Sequence, residues 1–357
     1  MQKSLTILFL ALFAISCPAQ DAVSQALPSW NGDAQKAWWA KNPSRDLWPK
    51  AADALQAQLE AGYKQNGVRV FSDPDFQGWL DHLDWIRLGL DCPDVLADAG
   101  QLKAFVALGR DEAVSHLFVE KLDPLDVKKE ALKNLLSLAG ANADDLHEYA
   151  ALGVAYSLVF DQPFPKDWPH RQVNHAAVPI GDLDIVQRFH FYVQANRDKK
   201  LDLDLTQLSF ENLKFLVDSE VSLPELEYAQ KNRNTIAYSH FADAFFAIKY
   251  DNARIGNAAA VYDWPYPSYT LADILEKGGI CIDQAYYAAT LGKGRGIPTI
   301  RFTGYGMDGA RVVRLSDQLG KMGARLRPLR EPGLSQGLCG RPADVAAHRR
   351  FRAGKSL

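Results

Sequence analysis

Residues 278–289 read GGICIDQAYYAA, in which two glycines lead into a cysteine and a run that is typical of a helix. Paired glycines permit a tight turn and a close approach of the backbone. Cys281 would then lie at a helix start, beside unsatisfied amide groups and the positive end of the helix dipole. Such surroundings lower the pKa of a thiol and favour the reactive thiolate. The stretch predicts a nucleophilic cysteine, and a small buried structural cysteine is the alternative interpretation.

The flanking residues predict the elements on both sides of this helix. Upstream, Thr270 and Asp273 have the spacing of a capping box at the start of a short helix. Downstream, residues 291–302 read LGKGRGIPTIRF, where glycines end the cysteine helix and Gly-Ile-Pro precedes a strand. The predicted order is helix, glycine turn, cysteine-headed helix and strand.

Over residues 262–308 the sequence resembles the transglutaminase-like superfamily, whose core is papain-like. The residues that match the family pattern are Gly279, Cys281, Ala285, Tyr286, Leu291, Arg295, Gly296, Ile297 and Pro298. Arg295 directly precedes Gly296, which departs from the commonest spacing in that family. The resemblance implies an α+β, papain-like core over residues 180–309. It also implies that Cys281 is the nucleophile of a triad, completed by a histidine and then an aspartate on the following strands.

Three residues around Cys281 are predicted to support it. Gly279 brings the chain closely into the helix start, and the backbone amides around Ile282 would hold an oxyanion. Asp283, two residues into the helix, is expected to stabilise the helix N-terminus rather than to act as a catalytic carboxylate. No cofactor is expected, and no Cys/His spacing is typical of a zinc site.

The chemistry that the resemblance implies is acyl transfer. A Cys281 thiolate attacks a carboxamide or peptide carbonyl, the family's histidine protonates the leaving amine, and the acyl group passes to water or to an amine. The expected substrate is a peptide or a protein, and the sequence does not choose between hydrolysis and cross-linking. The alternative function is that of a non-catalytic exported binding or scaffold protein that uses its helical region.

Length and composition are those of a globular protein with two domains, or one large domain with an extension. The 357 residues are 47% hydrophobic and carry a net charge of −3, which gives no reason to expect a nucleic-acid partner. The four cysteines are too few and too scattered for a disulfide framework.

The first 20 residues are expected to be an export signal. Lys3 supplies a positive start, and the apolar run at residues 5–15 is too short to span a bilayer. Residues 14–17 resemble a lipobox that would make Cys17 a lipidated N-terminus, and cleavage after Ala19 is the rival interpretation. The protein is expected to be periplasmic, a membrane-anchored lipoprotein or extracellular, with no transmembrane span once the signal is removed.

Residues 21–165 are expected to form a mainly helical region. Helix formers or helical spacing of apolar residues occur at residues 51–60, 81–90, 131–138 and 146–160. The tryptophans of this region are expected to pack in the core rather than form a ligand platform: Trp38, Trp39, Trp79 and Trp85. The histidines on its helical faces are interpreted as structural: His82, His116 and His147.

The middle of the chain is expected to contain a linker, a strand and further helix. Four prolines in residues 161–180 indicate the linker, and its two histidines, His170 and His175, are too weak a pattern to indicate a metal site. Residues 185–193 are predicted to form a strand. Asp202 and Asp204 are at strand spacing and are expected to be solvated. Residues 209–232 are predicted to be helical, with a break near Pro224.

The resemblance fails beyond residue 309. Residues 310–357 carry eleven basic and three acidic residues, whereas residues 1–309 carry 29 basic and 40 acidic ones. If the reading frame is shifted by one base within the Ala310 codon, the codons of residues 310–316 can encode His-Ala-Trp-x-Gly-Tyr-Leu. In the same shifted frame, the codons of residues 321–325 can encode Lys-Trp-Glu-Leu-Asp. Our hypothesis is that this basic, low-order tail is out of frame and replaces the end of the core, so that this chain lacks the histidine and aspartate and is inactive. The alternative is a basic interaction tail.

Overall fold

The computed structural model describes residues 29, 31–42, 44–165, 168–170, 173–181, 184–232, 235–253, 264–303 and 311–315. The expected export signal, with Cys17, and the tail from residue 316 lie outside these ranges. The described chain divides into two compact units, of which the first ends at Leu83 and the second begins at Asp84. The boundary expected between residues 165 and 180 falls within the second unit.

The first unit is helical and is built around aromatic side chains. It contains α1 (Gly32–Lys41), α2 (Trp48–Asn66) and the first part of α3 (Pro74–Asp91), with 3-10 turns at Arg45–Leu47 and Gly67–Ser72. The Asn31 side chain caps α1 by accepting hydrogen bonds from the first-turn amides. Trp39 and Trp48 are buried, and their ring centroids lie 5.5 Å apart. Of the tryptophans predicted to pack in the core, Trp39 and Trp79 are buried in this unit, and Trp38 is half-buried.

Helices also make up most of the second unit. In chain order they are α4 (Ala99–Leu108), α5 (Glu112–Lys121), α6 (Lys128–Ala141), α7 (Ala143–Glu148), α8 (Ala150–Val159), α9 (Ile185–Arg197), α10 (Phe210–Val217), α11 (Leu223–Lys231), α12 (Leu271–Lys277) and α13 (Cys281–Gly294). Shorter 3-10 segments lie at Val95–Ala97, His175–Ala177, Leu205–Gln207 and Tyr238–Ala247. The apolar helix α8 packs against α5, α6, α9 and α10. The expected helical region is therefore confirmed.

The prediction of a strand at residues 185–193 is wrong, because these residues lie in α9. The Asp184 carboxylate accepts hydrogen bonds from the amides of Val186 and Gln187, which caps the helix. The side chains buried along α9 recur at helical spacing: Ile185, Arg188, Phe189, Tyr192 and Val193. The apolar residues of 185–193 fit the alternating pattern of a strand only if the Arg188 side chain is exposed. The buried Arg188 guanidinium instead donates to the backbone carbonyls of Ser219 and Val221.

The proline-rich segment at residues 161–180, where a linker was predicted, contributes buried side chains. Its described residues include the buried side chains of Trp168, His170, Val173 and Val178. The Trp168 ring packs edge-on against Tyr286 of α13, with centroids 6.2 Å apart. The segment is therefore part of the packed core of the second unit.

Strand structure in the described ranges consists of one antiparallel pair. β1 (Thr299–Thr303) runs against β2 (Arg311–Leu315), with Thr299 opposite Leu315 and Thr303 opposite Arg311. The predicted order of helix, glycine turn, cysteine-headed helix and strand is confirmed by α12, α13 and β1. The α+β papain-like core expected over residues 180–309 is not supported, because the described residues of that range are mainly helical.

The central element near the end of the described chain is α13. It packs against α11, α12, the 3-10 segment Tyr238–Ala247 and β1, and every side chain from Ile282 to Lys293 is buried. Lys293 lies in its last turn, and its Nζ donates to the carbonyls of Phe215 and Thr299. Burial lowers the pKa of Lys293 to about 8.

This buried lysine makes the stability of the protein dependent on pH. Between pH 8 and its ordinary value near 10.5, Lys293 binds more protons in the unfolded than in the folded chain, so stability rises with pH. We expect the wild type to gain about 3 kcal/mol in free energy of unfolding relative to Lys293→Met across this interval. Urea unfolding of both proteins at several pH values measures the difference, and parallel pH profiles would contradict the assignment.

Candidate active site at the start of the cysteine helix

The turn that leads into α13 requires glycine at two positions. Gly278 has a φ of +80°, and a Cβ there would lie 2.5 Å from the Lys249 carbonyl oxygen. The Gly279 amide donates to that carbonyl at 2.9 Å, and the Gly279 carbonyl accepts from the Asp251 amide at 2.9 Å. The turn is therefore held by a short backbone pairing with residues 249–251. Cys281 follows as the first residue of α13, with a half-buried side chain.

Asp283 fixes the geometry of the first turn. Its carboxylate is fully buried, and Oδ2 accepts a hydrogen bond of 2.8 Å from the Ile280 amide, directly before Cys281. A Cβ at Gly279 would lie 2.6 Å from this Oδ2, so only glycine leaves room for the carboxylate. Asp283 thus stabilises the helix N-terminus in the manner that the sequence predicts.

A buried polar chain continues from Asp283 towards the interior. The Tyr269 hydroxyl donates to Asp283 Oδ1 at 2.7 Å, and His170 Nε2 lies 2.9 Å from the same hydroxyl oxygen. Burial raises the pKa of Tyr269 well above its ordinary value, and the Asp283 carboxylate raises it further. The Tyr269 ring stacks on Tyr286 at a centroid distance of 4.9 Å. The hydroxyl is therefore a hydrogen-bond donor at neutral pH.

The backbone amides of the first turn divide into two groups. The amides of Asp283 and Gln284 donate to the Ile280 carbonyl at 2.9 and 3.0 Å. Within the described part of the chain, no acceptor is present for the Ile282 amide. That amide, at the second helical position, is therefore a first-turn donor without a backbone partner within the helix. The Gln284 side chain is anchored elsewhere, because its Nε2 donates to the Ile248 carbonyl at 2.9 Å.

Arg295, which belongs to the family-like pattern, serves the packing at the far end of α13. Its buried Nε donates to Asp202 Oδ2 at 2.6 Å, and its guanidinium lies 5.0 Å from the centroid of the Phe241 ring. The Asp202 amide in turn donates to the Arg295 carbonyl at 2.8 Å. The expectation that Asp202 is solvated is therefore wrong, because it balances a buried cation. Asp204 is exposed, as expected, and its side chain caps the turn Leu205–Gln207.

Three of the histidines that precede Cys281 in the sequence differ in their exposure. His170 is buried in the polar chain, whereas His175 and His240 are exposed, with His240 Nδ1 at 3.9 Å from Asp243 Oδ2. The sequence analysis missed the importance of His170 and Tyr269. They are 99 residues apart, and no spacing pattern connects them. The positions from residue 310 onward, where the resemblance expects a histidine, lie outside the described residues apart from the backbone of β2.

Two other features, a metal-binding group and a membrane-spanning helix, are absent from the described ranges. No three His, Cys, Asp or Glu side chains come together there as a candidate metal-binding group. No helix there has both the length and the apolar character needed to cross a membrane.

Comparison with known proteins adds no relative. No family model, curated protein or solved structure matches this chain. The likeness to the transglutaminase-like superfamily therefore rests on the residues of 262–308 that match its pattern.

The close contact at Gly279 predicts the effect of a single methyl group. Gly279→Ala would displace the Asp283 carboxylate from the Ile280 amide, and we expect a loss of about 1–3 kcal/mol in the free energy of unfolding. Gly140→Ala in α6 is the matched control, because a Cβ there meets nothing within 4 Å, and it should stabilise the protein by about 0.5–1 kcal/mol. Urea unfolding measures both, and an equally stable Gly279→Ala variant would contradict the contact.

Proposed function

We propose that this chain is an exported transglutaminase-like protein whose parent chemistry is thiol-dependent acyl transfer or amide hydrolysis on peptides or proteins. Cys281 is the proposed nucleophile. The observation that carries the proposal is its position: a half-buried thiol on the first residue of α13, where the helix dipole favours a thiolate. The export part of the proposal rests on the sequence of residues 1–20.

The arrangement around Cys281 supports the first steps of that chemistry. The Gly278-Gly279 turn leaves the thiol at the end of a helix rather than within it, with its side chain half-buried. Attack by the thiolate places negative charge on the substrate's carbonyl oxygen, and the Ile282 amide is the donor proposed to receive it. Collapse of this intermediate expels an amine, which must take up a proton from a general acid.

The general acid is the missing part of this proposal. The resemblance expects a histidine and then an aspartate after β1, and the present reading frame encodes Arg311-Val312-Val313-Arg314 instead. We therefore propose that the chain keeps a reactive nucleophile but does not turn over substrate. A frame shifted by one base at Ala310 permits His-Ala-Trp and then Leu-Asp, in the family order.

A non-catalytic binding or scaffold protein is the second candidate function. The observation that favours it is the mainly helical character of the described residues, in which α1 to α8 precede the cysteine-headed region. In this alternative, Cys281 is a structural residue and the helical region carries the function.

Thiol alkylation distinguishes the two candidates, and the chain supplies its own control. Cys92 is buried, and burial together with the nearby Asp91 raises the pKa of its thiol. We expect iodoacetamide at pH 7 to modify Cys281 at least about tenfold faster than Cys92 in the folded protein. Peptide mapping by mass spectrometry measures both rates in one sample. A Cys281 that reacts as slowly as Cys92 would favour the scaffold.

A further inference from the structure

A carboxylate beside a nucleophilic thiol poses an electrostatic problem. Asp283 is two residues after Cys281 and has 0% exposure, so water does not screen its charge. A nearby negative charge disfavours the thiolate and raises the pKa of a thiol. The same carboxylate is nevertheless needed at the helix start, because it accepts the Ile280 amide. The surroundings of Asp283 must therefore offset its charge.

The two hydrogen bonds described at the Asp283 carboxylate both point towards it. An ionised carboxylate only accepts hydrogen bonds, so the Tyr269 hydroxyl must donate its hydrogen to Oδ1. That hydroxyl has no second hydrogen, so His170 must be the donor in the contact between Nε2 and the hydroxyl oxygen. His170 Nε2–H therefore donates to Tyr269, Tyr269 donates to Asp283, and the Ile280 amide donates to the other carboxylate oxygen.

Burial strengthens the hydrogen bonds that run from His170 through Tyr269 to Asp283. Tyr269 is 0% exposed and His170 is 7% exposed, and their rings pack edge-on with centroids 5.6 Å apart. Hydrogen bonds in series polarise one another, and a surrounding of low polarity increases their electrostatic effect. The Tyr269 hydroxyl and the Ile280 amide are thereby directed at one buried negative charge, and the His170 N–H polarises the hydroxyl.

We propose that Tyr269 and His170 are positioning residues that hold the Asp283 carboxylate against the Ile280 amide and offset its charge, so that it braces the start of α13 without suppressing the Cys281 thiolate. The inference rests on the proposed function, because it concerns the reactivity of the same thiol. In this inference, the Asp283 carboxylate raises the pKa of the Cys281 thiol, and the hydrogen bond from Tyr269 reduces that increase.

Substitution of Tyr269 or Asp283 leaves the other charged side chains of this cluster in the sequence. The Arg301 guanidinium donates to the carbonyl of Pro169, which precedes His170. Glu225, whose pKa is raised by burial, accepts the Leu271 amide at 2.7 Å. Their charges act on Tyr269 and Tyr286, and the variants below leave them in place.

The test is the pH dependence of Cys281 alkylation in three full-length variants. Asp283→Asn removes the charge and keeps an oxygen acceptor for the Ile280 amide, so the pH midpoint should fall by about one unit. Tyr269→Phe removes the donor and leaves the charge less compensated, so the midpoint should rise by about half a unit. Tyr286→Phe is the control, because it removes a buried hydroxyl from the ring stacked on Tyr269, and its midpoint should stay at the wild-type value.

Opposite shifts for Asp283→Asn and Tyr269→Phe support the proposal, since a purely structural role would not change sign between them. Shifts in the same direction, or slower alkylation with an unchanged midpoint, overturn it while leaving the proposed function intact. A wild-type Cys281 that reacts no faster than Cys92 overturns both.

A measurement on the native chain covers the case in which Tyr269→Phe does not fold. The hydrogen-bond directions require the Nε2–H form of His170. Nitrogen NMR of protein labelled at histidine, with the signal assigned by His170→Gln, reports which ring nitrogen carries hydrogen. An Nε2–H signal supports the proposed direction of the chain, and a neutral ring protonated only at Nδ1 overturns it.

Discussion

The hydrogen bond from the Ile280 amide to the Asp283 carboxylate determines how α13 begins, and several other features follow from it. The carboxylate needs the space that Gly279 provides, so the residue before Ile280 has no side chain. It also needs a second donor, which Tyr269 supplies from the loop that precedes α12. Gly278 then closes the turn against Lys249. Together these contacts fix the position of Cys281.

The two ends of α13 carry buried groups that match the helix dipole. Asp283 occupies the first turn, where the dipole is positive, and Lys293 occupies the last turn, where it is negative. Both are buried, and each has hydrogen-bonding partners from other segments: Tyr269 for Asp283, and the carbonyls of Phe215 and Thr299 for Lys293. Arg295, just beyond the helix, is balanced by Asp202. A helix enclosed along its length can hold these charges only with such partners.

Local signals in the sequence predicted the elements around Cys281 well. Capping at Thr270, the paired glycines and Gly-Ile-Pro are short-range features, and they predicted α12, α13 and β1. The strand prediction at residues 185–193 failed because Arg188 is buried, and burial of an arginine depends on carbonyls more than 30 residues away. The ion pair of Asp202 and the polar contact of His170 were missed for the same reason. Their partners, Arg295 and Tyr269, are separated from them by 93 and 99 residues.

The long separation between the parts of the polar chain has a consequence for the order of folding. A helix such as α13 forms from local contacts, whereas closing a loop of about a hundred residues is slow and entropically costly. The start of α13 acquires its surroundings only when segments 168–170, 249–251 and 269 have docked. Until then, Cys281 has the chemical character of a cysteine in an unfolded chain. Docking of these distant segments therefore sets the earliest stage of folding at which the final environment of the thiol exists.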